Sequence, residues 1–223
     1  MSARFALESL LLVLAWAATL AVRPWRLLRP VDGQVRLATP LLAALTVLPW
    51  LWSWPGPAAL QLHWSGAPLA VLLVGWPLAV PVLTVAGLST MLTLGHSPAE
   101  ALSLTVWAGL LPATLVLLLG HGVRKAFGMH PVAYLLGRSF FVPMLALGAC
   151  GLLVAVLDDA LQGPTGNLQR LAVALLAMGE ASWSCAIVSM LVAYRPQWLA
   201  TWSDPLYLGR PARAPRRALP PRR

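Results

Sequence analysis

The sequence predicts an all-α, polytopic membrane helix bundle of about seven transmembrane helices, with its N-terminus outside and its C-terminus cytoplasmic. Three observations predict it. Of the 223 residues 59% are hydrophobic and only 10% are charged, with mean hydropathy +0.75. A soluble domain carries roughly a quarter charged residues. The apolar residues fall in long runs, as helices surrounded by lipid require. The basic residues fall between those runs: fifteen arginines and Lys125 bring the net charge to +9, and most gather in 23–36, in 124–138 and from Arg195 to Arg223. Basic clusters of this kind mark cytoplasmic loops. The pI of 11.2 therefore points to lipid headgroups and not to nucleic acid.

The first apolar run, 5–22, reads as a retained span. Arg4 is its only leading charge, Glu8 lies inside it and arginines follow at once. The small residues of "AWAATLA" leave a cleavable leader open as the alternative. The later runs are 38–54, 57–94, 100–121, 133–157 and 168–194. The run 57–94 is too long for one span and short for two, and charge resolves it. The loops 23–36 (Arg23, Arg26, Arg29, Arg36) and 122–132 with its flank (Arg124, Lys125, Arg138) are both basic. Both can be cytoplasmic only if an even number of helices separates them. Splitting 57–94 near Trp76-Pro77 supplies that even number, and Pro77 suits a break because it cannot continue a helix arriving from its N-terminal side. Asp158 and Asp159 then fall in an external loop. Residues 1–208 form the transmembrane domain. The ending 209–223, "GRPARAPRRALPPRR" with its preceding Leu208 excluded, is Arg- and Pro-rich and reads as a disordered cytoplasmic tail.

Polar side chains inside spans are costly, so each raises a functional question. Glu180 lies near the middle of 168–194, where an unpaired charge costs ~2.5–3.5 kcal/mol. It must be protonated, paired or wet, and it serves either to bridge helices or to meet a substrate or proton. Glu8, near the outer end of the first span, reads as a headgroup-solvated residue. His63, in "LHWSGAP", enters the first half of the split span from outside. It is either an interfacial histidine or a ligand, and the shortness of that half places its segment inside the bundle, since irregular backbone at depth must be covered by protein. In "LGHSPAEAL", Ser97, Pro98 and Glu100 form a capping box, which makes His96 an external loop residue. His121 and His130 flank the basic loop. His96 and Glu8 are weaker metal-ligand candidates. Cys150 and Cys185 read as buried small hydrophobes, with soft-metal ligation as a minor alternative. Glycine and small residues in "SGAP", "AGLST", "LGACG" and "GEASWS" let helices approach closely. Trp50, Trp52, Trp54 and Trp64 on one side, with Trp198 and Trp202 on the other, read as an aromatic belt. The sequence has no HExxH, GxSxG or phosphate-cradling GK[ST] loop, so it is read as a non-enzyme whose ATP, if used, is hydrolysed by a partner.

Three blocks carry a family resemblance. "HWSGAPLAVLLVGWPLAV" resembles the histidine-led third-helix region of CbiM/NikM-type proteins, the cobalt- and nickel-specific membrane components of energy-coupling factor (ECF) ABC transporters. "LLPATLVLLLGHGVRKAFGMHPVAYLLGRSFF" and "GEASWSCAIVSMLVAYRPQWLATWSDPLYL" are similar to a divergent proteobacterial branch of ECF permeases. The resemblance runs from about residue 5 to 208 and implies a seven-span fold in the bacterial inner membrane. It implies partnership with an ECF coupling subunit and an ATPase, and Co²⁺ or Ni²⁺ as substrate. In that family the ion is held by an N-terminal Met-His and by a histidine opening the third helix. His63 matches the second; Ser2 stands where the first would be.

Two functions therefore compete. One is a substrate-binding component of an ECF-type importer, with His63 and Glu180 at the substrate and Arg124, Lys125 and Arg138 on the cytoplasmic coupling surface. The other is a non-transporting scaffold or assembly protein that keeps the fold without the metal site.

Overall fold

The computed structural model describes residues 3–30, 34–53, 62–157 and 164–208. The fold is an all-α bundle with no strand among the described residues. Helix α1 (Ala3–Val22) leads through a 3₁₀ turn, Pro24–Leu28, to α2 (Ala38–Trp52). A non-helical stretch, 62–66, feeds the short α3 (Ala67–Val74), and Gly75 separates it from α4 (Trp76–Thr93). A continuous helix follows, made of α5 (Pro98–Leu104), a wide π stretch (Thr105–Leu110) and α6 (Leu111–Phe127). A second π stretch, Ala133–Phe141, opens into α7 (Val142–Leu157), and α8 (Pro164–Tyr194) is the longest helix. The 3₁₀ turn Pro196–Trp198 and the short α9 (Asp204–Tyr207) end the described chain.

Five of these helices are long and apolar enough to cross a membrane: Arg4–Val22, Trp76–Thr93, Pro98–Phe127, Ala133–Val156 and Gly166–Tyr194. The α2 helix is a shorter apolar helix, and α3 is a half-helix. Eight residues rise only about 12 Å, against a hydrocarbon core of about 30 Å. The expected split of 57–94 is present, but it differs from the sequence reading in two ways. The break falls on Gly75, whose φ of +81° an L side chain resists, and Pro77 sits in the first turn of α4 where its missing N–H costs nothing. The first half starts only at Ala67, because Gly66 at φ +63° ends the non-helical lead-in there, with Leu48 packed beneath it. Residues 54–61, Asp158, Asp159 and the 209–223 tail lie outside the described residues.

The half-helix α3 sits at the centre of the bundle, packed against α2, α4, α6 and α8. Six of its eight residues are buried: Ala67, Pro68, Ala70, Val71, Leu72 and Val74. By contrast α1 is the outermost span. Leu10, Val13, Leu14 and Val22 are exposed along it, as a lipid-facing surface requires. Hydrogen bonds between helices add to the packing: Trp16 Nε1 donates to Thr84 Oγ1 at 3.1 Å, and Trp76 Nε1 donates to Thr114 Oγ1 at 3.1 Å. Without a hydrophobic driving force in lipid, such bonds and close small-residue contacts hold spans together.

Gly87 and Gly151 serve that second purpose: a Cβ on Gly87 would run into the Thr105 side chain, and one on Gly151 into Val173. Gly179 of "GEASWS" meets nothing, so its small size is not a packing requirement. Gly87→Ala forces α4 away from Thr105 and is expected to cost about 1–3 kcal/mol, read as a lower thermal unfolding midpoint in detergent. Gly179→Ala is expected to leave that midpoint unchanged.

The C-terminal end of α3 is closed by the segment after α8. Thr201 Oγ1 donates to the Leu72 carbonyl at 2.9 Å, and Ala200 N donates to the Leu73 carbonyl at 2.8 Å. Tyr134 reaches Thr201 through its hydroxyl at 2.7 Å and packs edge-on against Trp202 and Tyr207. Trp202 is thus a buried member of an aromatic cluster and not a belt residue. A helix that ends inside a bilayer leaves carbonyls without water to bond them, and "WLATWSDPLYL" satisfies them.

Candidate functional site

The other end of α3 builds the site. Glu180 projects from near the middle of α8, is 4% exposed, and places both oxygens on the α3 lead-in. Oε2 accepts from Ser65 N at 2.9 Å and Oε1 accepts from Gly66 N at 2.7 Å. A helix N-terminus carries unpaired N–H groups and a positive partial charge. A carboxylate from another helix satisfies both needs.

Ser65 is held from three further directions. Trp52 Nε1 on α2 donates to the Ser65 carbonyl at 2.8 Å. Ser65 Oγ donates to the Ala108 carbonyl at 2.5 Å and accepts from Ala67 N at 3.1 Å. The Ala108 carbonyl lacks the donor an α-helix would supply four residues on, because that residue is Pro112, and the π stretch turns it toward Ser65. The residues 62–66 are therefore fixed by α2, by α8 and by the π stretch together.

Beside this junction lies a cavity of about 490 Å³. His63, His96, Glu100, Cys150 and Glu180 line it, and Arg4 stands at the same wall. It lies between the starts of α1, α5 and α8 and the end of α7. The basic stretches 23–29, 124–125 and 195 follow the opposite ends of their helices.

The placement of each expected residue is as follows. His63 and Glu180 meet at the cavity, His63 exposed and Glu180 buried. His96 lies in the loop before α5, as expected, and is half-buried at the same cavity. The capping box that precedes α5 is present, with Ser97 N donating to Glu100 Oε2 at 2.7 Å and Glu100 N donating to Ser97 Oγ at 3.3 Å. Glu8 is not solvated by headgroups. It is 2% exposed, and its Oε1 accepts from Arg4 Nε at 3.0 Å and from Trp107 Nε1 at 2.9 Å. Those two donors turn it into the bundle and away from the cavity lining. Arg124 and Lys125 are exposed in the last turn of α6, where cations suit the helix dipole. Arg138 is less exposed than either. It lies within the second π stretch, half-buried against Gly120 with its guanidinium over the Tyr134 ring. Cys150 is buried, and Cys185 Sγ donates weakly to the Leu135 carbonyl at 3.5 Å.

Sequence reasoning missed Ser65, Trp52 and Trp107. Trp52 looked like a belt anchor but is fully buried. Its signal was available: it lies on an apolar helix just before the irregular stretch whose carbonyls need donors. Among the described residues no group of three or more His, Cys, Asp or Glu side chains is arranged to hold a metal ion.

A family profile described as the cobalt uptake substrate-specific transmembrane region, CbiM, matches residues 4–198. The chain belongs to the CbiM family. It is thus a multi-pass membrane protein of a transport family concerned with cobalt uptake. The match covers every element from α1 to the turn after α8, so the half-helix, its Glu180 cap and the cavity all lie within the family region. No curated protein and no solved structure matches the chain.

Proposed function

We propose that this CbiM-family chain is the substrate-binding membrane component of an ECF-type ABC importer in the bacterial inner membrane. Its cavity admits a divalent transition-metal ion of the cobalt or nickel kind from outside. The observation that carries this reading is that His63 and Glu180 line one cavity at the start of a half-helix inside the bundle. Broken helices place ligand-facing backbone and side chains at mid-membrane depth, where irregular chain is tolerated only around a cavity or within protein. Imidazole suits cobalt and nickel as a borderline donor.

In this reading His63 is a ligand and Glu180 is a positioning residue. Glu180 holds the 62–66 stretch against α8, so His63 reaches the cavity from a fixed backbone. The cavity end faces outside, and the exposed Arg124 and Lys125 face the cytoplasm with the coupling subunit and ATPase, as the distribution of basic residues supports. Arg138 supports that surface from inside the seam. The scaffold alternative draws on one observation: both Glu180 oxygens are already engaged by backbone N–H groups.

Uptake separates the two. In cells that supply an ECF coupling subunit and ATPase, the chain is expected to drive ATP-dependent accumulation of radiolabelled cobalt, and His63→Ala is expected to abolish it at equal membrane abundance. Wild-type accumulation no higher than that of cells lacking the chain would favour the scaffold.

A further inference from the structure

We infer that His96 is a second imidazole ligand to the same ion that His63 binds, so that the turn before α5 and the lead-in to α3 close on the substrate together. The inference rests on the reading of the cavity as the metal site. It follows from which of the charged and imidazole side chains on the wall are free. Arg4 donates to Glu8 Oε1 and to Ser103 Oγ, each at 3.0 Å. Glu100 accepts from Ser97 N and Ser97 Oγ at 2.7 and 2.8 Å. Glu180 is held by the backbone of Ser65 and Gly66. The two imidazoles make no such commitment among the described residues. His96 Nδ1 is buried without a hydrogen-bond partner, an arrangement that costs about 1–3 kcal/mol.

His96 is also well placed to be a rigid ligand. It immediately precedes a capped helix, and its backbone N donates to the Thr90 carbonyl at 3.4 Å. Ligands on fixed elements bind more selectively than ligands on free loops. The two rings line one cavity. Neutral imidazoles are common ligands of transition-metal cations. A cavity of about 490 Å³ leaves space beside the ion for waters, each occupying about 30 Å³. The ion's remaining positions are then filled by water or by a small ligand that travels with it.

The test uses the full chain purified in detergent, with Co²⁺ titrated by calorimetry and Cu²⁺ added for electron paramagnetic resonance, which counts bound nitrogens. The variants are His63→Ala, His96→Ala, His96→Asn and the double alanine variant. His96→Asn keeps a polar group of similar reach should the alanine variant fold poorly. Each single substitution is expected to weaken Co²⁺ binding by more than the roughly 10–100-fold that outer-shell partners carry. The double variant is expected to fall short of the sum, and the Cu²⁺ spectrum to lose one nitrogen in either His96 variant. If His63→Ala loses binding while both His96 variants keep wild-type affinity and nitrogen count, His96 is no ligand and the cavity reading survives. If the wild type binds none of these ions, the cavity reading fails and the His96 inference fails with it.

Discussion

Glu180→Ala is expected to destabilise the folded bundle by about 1–4 kcal/mol, because the buried Ser65 N loses its acceptor at about 1–3 kcal/mol and the part-buried Gly66 N loses its own at about 1 kcal/mol or less. Those donors are Ser65 N and Gly66 N, at the membrane-buried start of α3. Among the described residues no other side-chain acceptor is bonded to either N–H. The substitutions should rank by what they leave behind. Glu180→Gln keeps one carbonyl oxygen, so it can still accept from one of the two donors and should lose the least. Glu180→Lys places a cation against the positive end of the half-helix and should lose the most, so its yield of folded protein should be lowest. Thermal unfolding in detergent, followed beside yield, reads this order. Equal midpoints for all three variants would mean that Glu180 does not cap α3.

Trp52→Ala is the second large effect. Trp52 is fully buried between α2 and the π stretch, with its ring against Gly109. Truncating a buried Trp costs about 3–5 kcal/mol. The same change leaves the Ser65 carbonyl without its donor, so the 62–66 stretch loses one of its anchors. Trp52→Phe should keep most of the packing and lose only the bond, at about 1 kcal/mol. The two variants therefore separate packing from positioning. Both should weaken Co²⁺ binding, although Trp52 is not part of the cavity wall, because both release the backbone that carries His63. Metal affinity equal to wild type in a folded Trp52→Phe would show that the bond to Ser65 does not position the site.

The bundle was legible because lipid imposes a simple rule on sequence. Long apolar runs become helices, and arginine between them reports the side. Charge parity required a break inside 57–94, and the structure has one at Gly75. The half-helix itself was harder to read. Nothing in "PLAVLLV" says that a helix is only eight residues long; that follows from Gly66 and Gly75, each with positive φ, and glycine alone does not announce its φ. Glu180 was visible as a charge that needed an answer, but its answer lies 115 residues earlier in the chain. Such long-range pairs leave no periodicity to read. Glu8 misled for the same reason: its partner Trp107 sits on another helix, so its position near a span end suggested water. Trp52 and Trp202 show a limit of the belt rule. Tryptophan at the end of a span marks an interface only when no buried carbonyl or ring cluster claims it.

The cavity lined by His63 and Glu180 is proposed to hold a transition-metal ion. The most direct test is the metal content of the purified chain after exposure to Co²⁺, Ni²⁺, Zn²⁺ and Cu²⁺ and removal of free ion. Wild type, His63→Ala and Trp64→Phe are compared. The account predicts near-stoichiometric metal in wild type and in Trp64→Phe, and its loss in His63→Ala with the fold intact. Metal absent from wild type, or retained in full by His63→Ala, would contradict it.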